Sequence, residues 1–191
     1  MRFLPLLVLL LACAGPQRLK SDLEAMFDSD QAARARMEDI RKTKGDDSPE
    51  MRQAWDQQRP LDGANIARLE EIIAAHGWPG KSRVGDKASA GAFLVLQHAE
   101  LPYQKKHLPL LRKAAAAGEL RPDHLALLED RILMREEKKQ RYGSQLKSNA
   151  QGILELYPIE DEAHVDERRK SVGLPPMAEY LKFFGLDYPA R

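Results

Sequence analysis

Asp130 and Arg131 interrupt an otherwise apolar stretch, Leu127-Leu128-Glu129-Asp130-Arg131-Ile132-Leu133-Met134. On a helix, Asp130 neighbours Ala126, Leu127, Leu133 and Met134 at three- and four-residue offsets, all of them apolar. An unpaired charge on such a stripe is very costly, so the carboxylate is expected either among partners in the core or at the edge of a pocket. His98 makes a parallel case, with Leu94, Val95 and Leu101 as its helical neighbours. An imidazole oriented by a carboxylate is the arrangement of a general base. His98 is therefore the candidate base and Asp130 its orienter, with Arg131 or Gln145 placed to stabilise developing negative charge. The competing expectation is structural: a hydrogen-bonded core histidine, and an ion pair or helix-anchoring network around Asp130.

Other residues suit binding better than bond-breaking. In His76-Gly77-Trp78-Pro79-Gly80, Gly77 can end a helix and the proline pushes Trp78 extended, giving an aromatic wall beside a polar His76 or a plain helix stop with Trp78 plugging the core. Gln97 adds a second polar head next to His98. In Gln140-Arg141-Tyr142-Gly143-Ser144-Gln145, amides, a phenol and a hydroxyl suit an uncharged polar ligand, with Tyr142 and Gln145 as the candidate contacts; an exposed hairpin edge is the alternative. Gly80-Lys81-Ser82 mimics the end of a phosphate-binding loop, but Ala75 stands where that pattern needs glycine. The five histidines, at 76, 98, 107, 124 and 164, lack the close helical spacing of zinc ligands, so neither a metal nor a cofactor is expected. Residues 161–170 place acid first and base last, as a solvated helix matched to its dipole does, with Asp166 and Lys170 spaced for an i,i+4 pair.

The elements that must position these groups read as helices. Leu19, Leu23, Met26 and Phe27, extended by Met37 and Ile40, predict a helix over 18–42. A break follows at 45–49, then a short helix carrying Met51 and Trp55 that ends before Pro60, then a helix capped by Asp62 and carrying Ile66, Leu69, Ile72 and Ile73. Residues 86–99 form a helix rich in small side chains, able to sit close to a neighbour. Two more helices surround Leu108 to Leu111 and follow Pro122, the second running to about residue 137. Residues 141–147 and 152–157 are expected to pair as a hairpin, and helices at 161–172 and 177–184 close the chain. The expected fold is mainly α, a single-domain multi-helix bundle with a small β-hairpin in the C-terminal third.

The start of the chain speaks to address. Arg2 precedes a compact apolar run that is too short to span a bilayer, which needs about 20 residues. Leu10-Leu11-Ala12-Cys13 resembles the lipobox of bacterial lipoprotein signal peptides. That resemblance implies a signal peptide over 1–12, acylation at Cys13, a lipidated tether over 13–17 and a helical domain over 18–191. Ala14, rather than Asp, resembles the pattern of lipoproteins that move on to the outer membrane, facing the periplasm; an ordinary secreted, soluble product is the alternative. Cys13 is the single cysteine, which excludes a disulfide framework. The formal charge of +1 gives no electrostatic reason to expect nucleic acid.

The motifs His76-Gly77-Trp78-Pro79-Gly80, Gln97-His98-Ala99, Leu108-Pro109-Leu110-Leu111, Asp130-Arg131-Ile132 and Tyr142-Gly143-Ser144-Gln145 together resemble an uncharacterised bacterial family. Ser144 stands where that family commonly has threonine, a departure that keeps the hydroxyl. The resemblance implies a shared fold and shared polar positions, and it supplies no activity. Three expectations therefore stand side by side: an anchored domain binding a small polar ligand or a protein partner, a hydrolase or transferase using His98 with Asp130, and a structural envelope component.

Overall fold

Two long antiparallel helices set the frame. A computed structural model describes residues 15–149 and 153–188; Cys13 and the apolar run before it lie outside them. Helix α1 spans Pro16–Lys44 and α2 spans Pro49–His76. Ser48 starts α2, its hydroxyl accepting from the Met51 N–H at 3.1 Å, with Pro49 in the first turn. Gly77, at φ +73°, stops it with its own N–H on the Ile73 carbonyl at 2.8 Å.

The expected break at Pro60 does not occur. One helix runs through it, so Asp62 lies within α2 and caps nothing. Pro60 and Asp56, the residue whose carbonyl loses its hydrogen bond to the missing N–H, are both on the exposed face, where that carbonyl is open to solvent. The buried stripe passes the proline without interruption: Met51, Ala54, Gln58, Ile66, Leu69 and Ile72.

After a short helix α3 (Lys81–Val84), α4 (Asp86–His98) packs along α1 in the most extensive helix–helix contact of the fold. Gly91 makes that approach possible, because a Cβ there would stand 2.2 Å from the Leu23 carbonyl oxygen. Helices α5 (Leu101–Ala116) and α6 (Pro122–Arg135) complete the layer around a core that includes Leu23, Leu69, Phe93, Leu96, Leu111 and Leu128. His124 stacks on Phe93 with ring centroids 4.2 Å apart.

The hairpin is present but shorter than expected: β1 (Leu146–Ser148) pairs antiparallel with β2 (Leu154–Leu156), Lys147 opposite Glu155. Residues 141–145 are not strand. Gly143 has φ +68°, so the turn favours glycine, and a Cβ there would also press on the ends of the Met177 and Ile159 side chains within 3 Å. A 3-10 turn (Glu162–His164), α7 (Val165–Ser171) and α8 (Met177–Lys182) close over a second small core of Ile159, Val165, Met177 and Leu181. Among the described residues no helix is long and apolar enough to cross a membrane.

Candidate functional site

His98 and Asp130 do not form a pair. His98, at the end of α4, reaches Asp30 of α1, with Nδ1 2.7 Å from Oδ1. Burial pushes the Asp30 carboxyl up, but the hydrogen bond and charge of His98, the charge of Arg34 and the Gln31 amide outweigh it and hold the group below its ordinary 3.8. An ionised carboxylate can only accept, so the proton of this bond sits on Nδ1. Nε2 has no hydrogen-bond partner among the described residues.

The network continues into α2. Arg34 Nε donates to Asp30 Oδ1 and Nη2 to Asp62 Oδ2, both at 3.3 Å, and Gln58 Nε2 donates to Asp62 Oδ1 at 2.6 Å. Residues from three helices are thus joined by charge-assisted bonds, with Asp30 and Gln58 buried.

Beyond Arg34 opens a cleft of about 440 Å³, lined by α1 (Arg34, Met37, Glu38, Arg41), the following turn (Asp46), α2 (Met51, Trp55) and α6 (Arg131). Trp55 is 39% exposed and the Arg34 guanidinium lies 5.5 Å from its ring centre. Glu38, Arg41 and Asp46 also line a larger opening of about 600 Å³ that runs on to Ser148, Leu154, Phe183 and Phe184. His98 is linked to the cleft wall through Asp30, which also holds Arg34 of the lining.

Asp130 serves a different purpose. It is fully buried and its carboxylate accepts the backbone N–H groups of Arg141 at 2.7 Å, Tyr142 at 3.0 Å and Ser144 at 2.9 Å. Those amides are thereby unavailable to a strand ladder, which is why the hairpin begins only at Leu146. Gln140, also fully buried, holds the same loop, its Oε1 accepting from the Gln145 N–H at 2.8 Å and its Nε2 donating to the Tyr157 carbonyl at 2.7 Å. Arg169 grips the opposite side, donating to the carbonyls of Pro175 at 2.5 Å and Tyr142 at 2.7 Å while its guanidinium lies 4.6 Å from the Tyr180 ring centre. The helix expected to be merely solvated thus buries Arg169 completely. Asp166 accepts from the Met177 N–H at 2.8 Å, tying the start of α8 to α7.

Of all the candidate residues read from the sequence, Arg131, expected to stabilise charge, lines the cleft, and none of the ligand-contact candidates does. His76 sits at the end of α2, where its carbonyl accepts from Arg83. Trp78 packs against the main core. Gln97 is buried, its carbonyl accepting from Gln104 Nε2 at 2.8 Å. Tyr142 is half-buried on the Asp130 loop, and burial pushes its phenol up. Gln145 is buried with its amide donating to Ser144 Oγ at 3.0 Å. No cluster of three or more metal-ligating side chains occurs among the described residues.

Asp30, Arg34, Trp55 and Arg169 were not legible as site residues by composition, yet two carried a signal. Asp30 falls on the stripe of Leu19, Leu23 and Met26 at four-residue spacing, and Arg169 lies one turn from Val165. Both are polar groups on a buried face, the same signature that marks Asp130.

The Asp30 linkage has a measurable consequence. Because folding holds this carboxyl below 3.8, the unfolded chain takes the proton more readily. The network therefore adds stability above about 3.8 and loses it as the pH falls through the lowered value. Urea midpoints measured from pH 6 to pH 3 should drop in the wild type, with part of that acid limb flattened in Asp30→Asn; superimposable profiles would remove the linkage.

The fold and its polar network define a class: a mainly helical protein with a small antiparallel hairpin and a partly buried His–carboxylate–arginine network beside an open cleft. The chain belongs to DUF6624, a family of unknown function, whose model matches residues 17–190. No curated protein and no solved structure matches it.

Proposed function

We propose that this chain is an envelope-anchored bacterial lipoprotein whose helical domain binds a small polar ligand in the cleft between α1, α2 and α6. The observation that supports binding is the relay His98–Asp30–Arg34–Asp62–Gln58, which fixes Arg34 and so gives the cleft a pre-organised polar wall beside an exposed tryptophan. The lipobox-like Leu10 to Cys13 segment supports the anchor, with the outer membrane facing the periplasm as its address. A docked protein partner is the competing occupant.

Proton transfer is the second reading, and one contact favours it: Asp30 orients the His98 ring and leaves Nε2 as the basic atom. Asp130 is not part of that reading, because three backbone amides occupy it.

Mass spectrometry of the protein purified from membranes tests the anchor and the site together. The expected mature chain starts at Cys13 and carries acyl mass. In native spectra a bound small molecule should accompany the wild type and be lost from Trp55→Ala. An unmodified N-terminus overturns the anchor; a ligand retained equally by Trp55→Ala overturns the cleft.

A further inference from the structure

Arg169, fully buried, and Arg131, partly buried, are treated differently. Arg169 gives its Nε and Nη1 to backbone carbonyls and leaves only Nη2 without a partner. Arg131, in the middle of α6, has its Nε enclosed by protein and takes part in no hydrogen bond or ion pair among the described residues. Its cationic neighbours are all engaged: Arg34 with Asp30 and Asp62, Arg41 with Glu38, and Arg135 with the Ala99 carbonyl at 2.6 Å. A partly buried guanidinium with every donor unused is costly, whereas Arg169, although its Nη2 is also unpartnered, offsets its burial through acceptors for Nε and Nη1.

We propose that the cleft takes a soluble ligand carrying a single oxyanion, phosphate or carboxylate, on a flat or apolar body, with Arg131 as the principal cationic contact and Trp55 as the wall for the body. This deepens the binding role given to the cleft above and rests on it. The planar fork of an arginine matches either oxyanion through two parallel hydrogen bonds. The surroundings favour negative charge at this point: burial, then Arg135 and Arg34, push the Arg131 guanidinium down to about 10. An anion relieves that penalty. Of the two carboxylates on the cleft wall, Glu38 is already bound by Arg41 and Lys42, and Asp46 disfavours a second oxyanion while offering an acceptor to a hydroxyl or amine. Met37 and Met51 supply apolar surface next to Trp55.

Calorimetric titration of the full chain at constant ionic strength, with inorganic phosphate and with phenyl phosphate, tests this. Saturable binding is expected for both, several-fold tighter for phenyl phosphate. Arg131→Met should weaken both at least tenfold, and Trp55→Ala should erase the preference for the phenyl group. If Arg131→Met does not fold, wild-type tryptophan fluorescence decides: phenyl phosphate should change it, and Trp55→Phe should abolish the change. No saturable binding, or equal binding by a folded Arg131→Met, overturns the proposal. So does an unchanged fluorescence signal. Phosphatidylglycerol vesicles form the lipid arm; binding to vesicles with none to soluble phosphates overturns the soluble-ligand assignment. A copurified ligand without an acidic group would end this inference and leave the binding role standing. Phosphate binding by a chain found unacylated would remove the anchor alone.

Discussion

Replacing Asp130 with alanine is expected to lower stability by about 3–5 kcal/mol, the range for stripping one partner from a buried charged contact. The carboxylate is completely enclosed and is the shared acceptor for three backbone amides, those of Arg141, Tyr142 and Ser144. Alanine leaves those donors facing a void, and each unsatisfied buried group costs about 1–3 kcal/mol. Water entering the space, or a shift of the loop, recovers part of that sum. Asp130→Asn keeps the volume but turns an amide N–H towards donors, so it should recover only a minority of the loss. Thermal unfolding by circular dichroism is the measurement, with a fall of roughly 10 °C or more expected for alanine. A wild-type melting temperature in both variants would mean the loop does not depend on this carboxylate. The same variants address chemistry: activity loss accompanied by this destabilisation says nothing about an acid–base role for Asp130.

Gly91→Ala sets two terms of opposite sign against each other. Alanine favours a helix over glycine by about 1 kcal/mol. Against that, its methyl would stand 2.2 Å from the Leu23 carbonyl oxygen and 3.2 Å from the carbonyl carbon. These are backbone atoms in the middle of α1, so relief requires the two helices to separate along their contact. Overpacking of this kind typically costs 1–3 kcal/mol and more where backbone must move. A net loss of about 2 kcal/mol is expected, and a larger one for Gly91→Val, read from urea unfolding. A Gly91→Ala protein as stable as the wild type would show that α1 and α4 are not locked at this crossing.

How much of this was visible in the residues follows from where the information resides. Helix stripes are local, so α1, α4 and α6 are readable from apolar spacing, and the small side chains of α4 foretell its close approach. The stop at Gly77 is equally local. Pro60 misleads because its local effect suggests an end, whereas the pattern Met51, Ala54, Gln58, Asp62, Ile66 and Leu69 keeps helical spacing straight through it. That longer pattern carries the decision, since an exposed proline on a well-packed helix loses one solvent-satisfied bond only. The hairpin is shorter than the spacing predicts for a non-local reason: the amides of Arg141, Tyr142 and Ser144 are claimed by Asp130, about a dozen residues earlier in the chain. Partner choice is likewise non-local. Spacing marks His98 and Asp130 as polar groups on apolar faces, but only the packing of α4 on α1 brings Asp30 to His98 and leaves Arg131 without a carboxylate.

Helix α1 begins at Pro16, three positions after Cys13, and reaches Arg34 without a break. The eighteen steps of continuous helix from Pro16 to Arg34 amount to a rigid strut of roughly 27 Å at 1.5 Å per residue. On the proposed acylation, that strut sets the radius at which the cleft mouth swings about its attachment point, whatever the tilt of the body. The protein would then sample a shallow dome of periplasm close to its leaflet, and a change in the length of α1 by one turn would move that dome by about 5 Å.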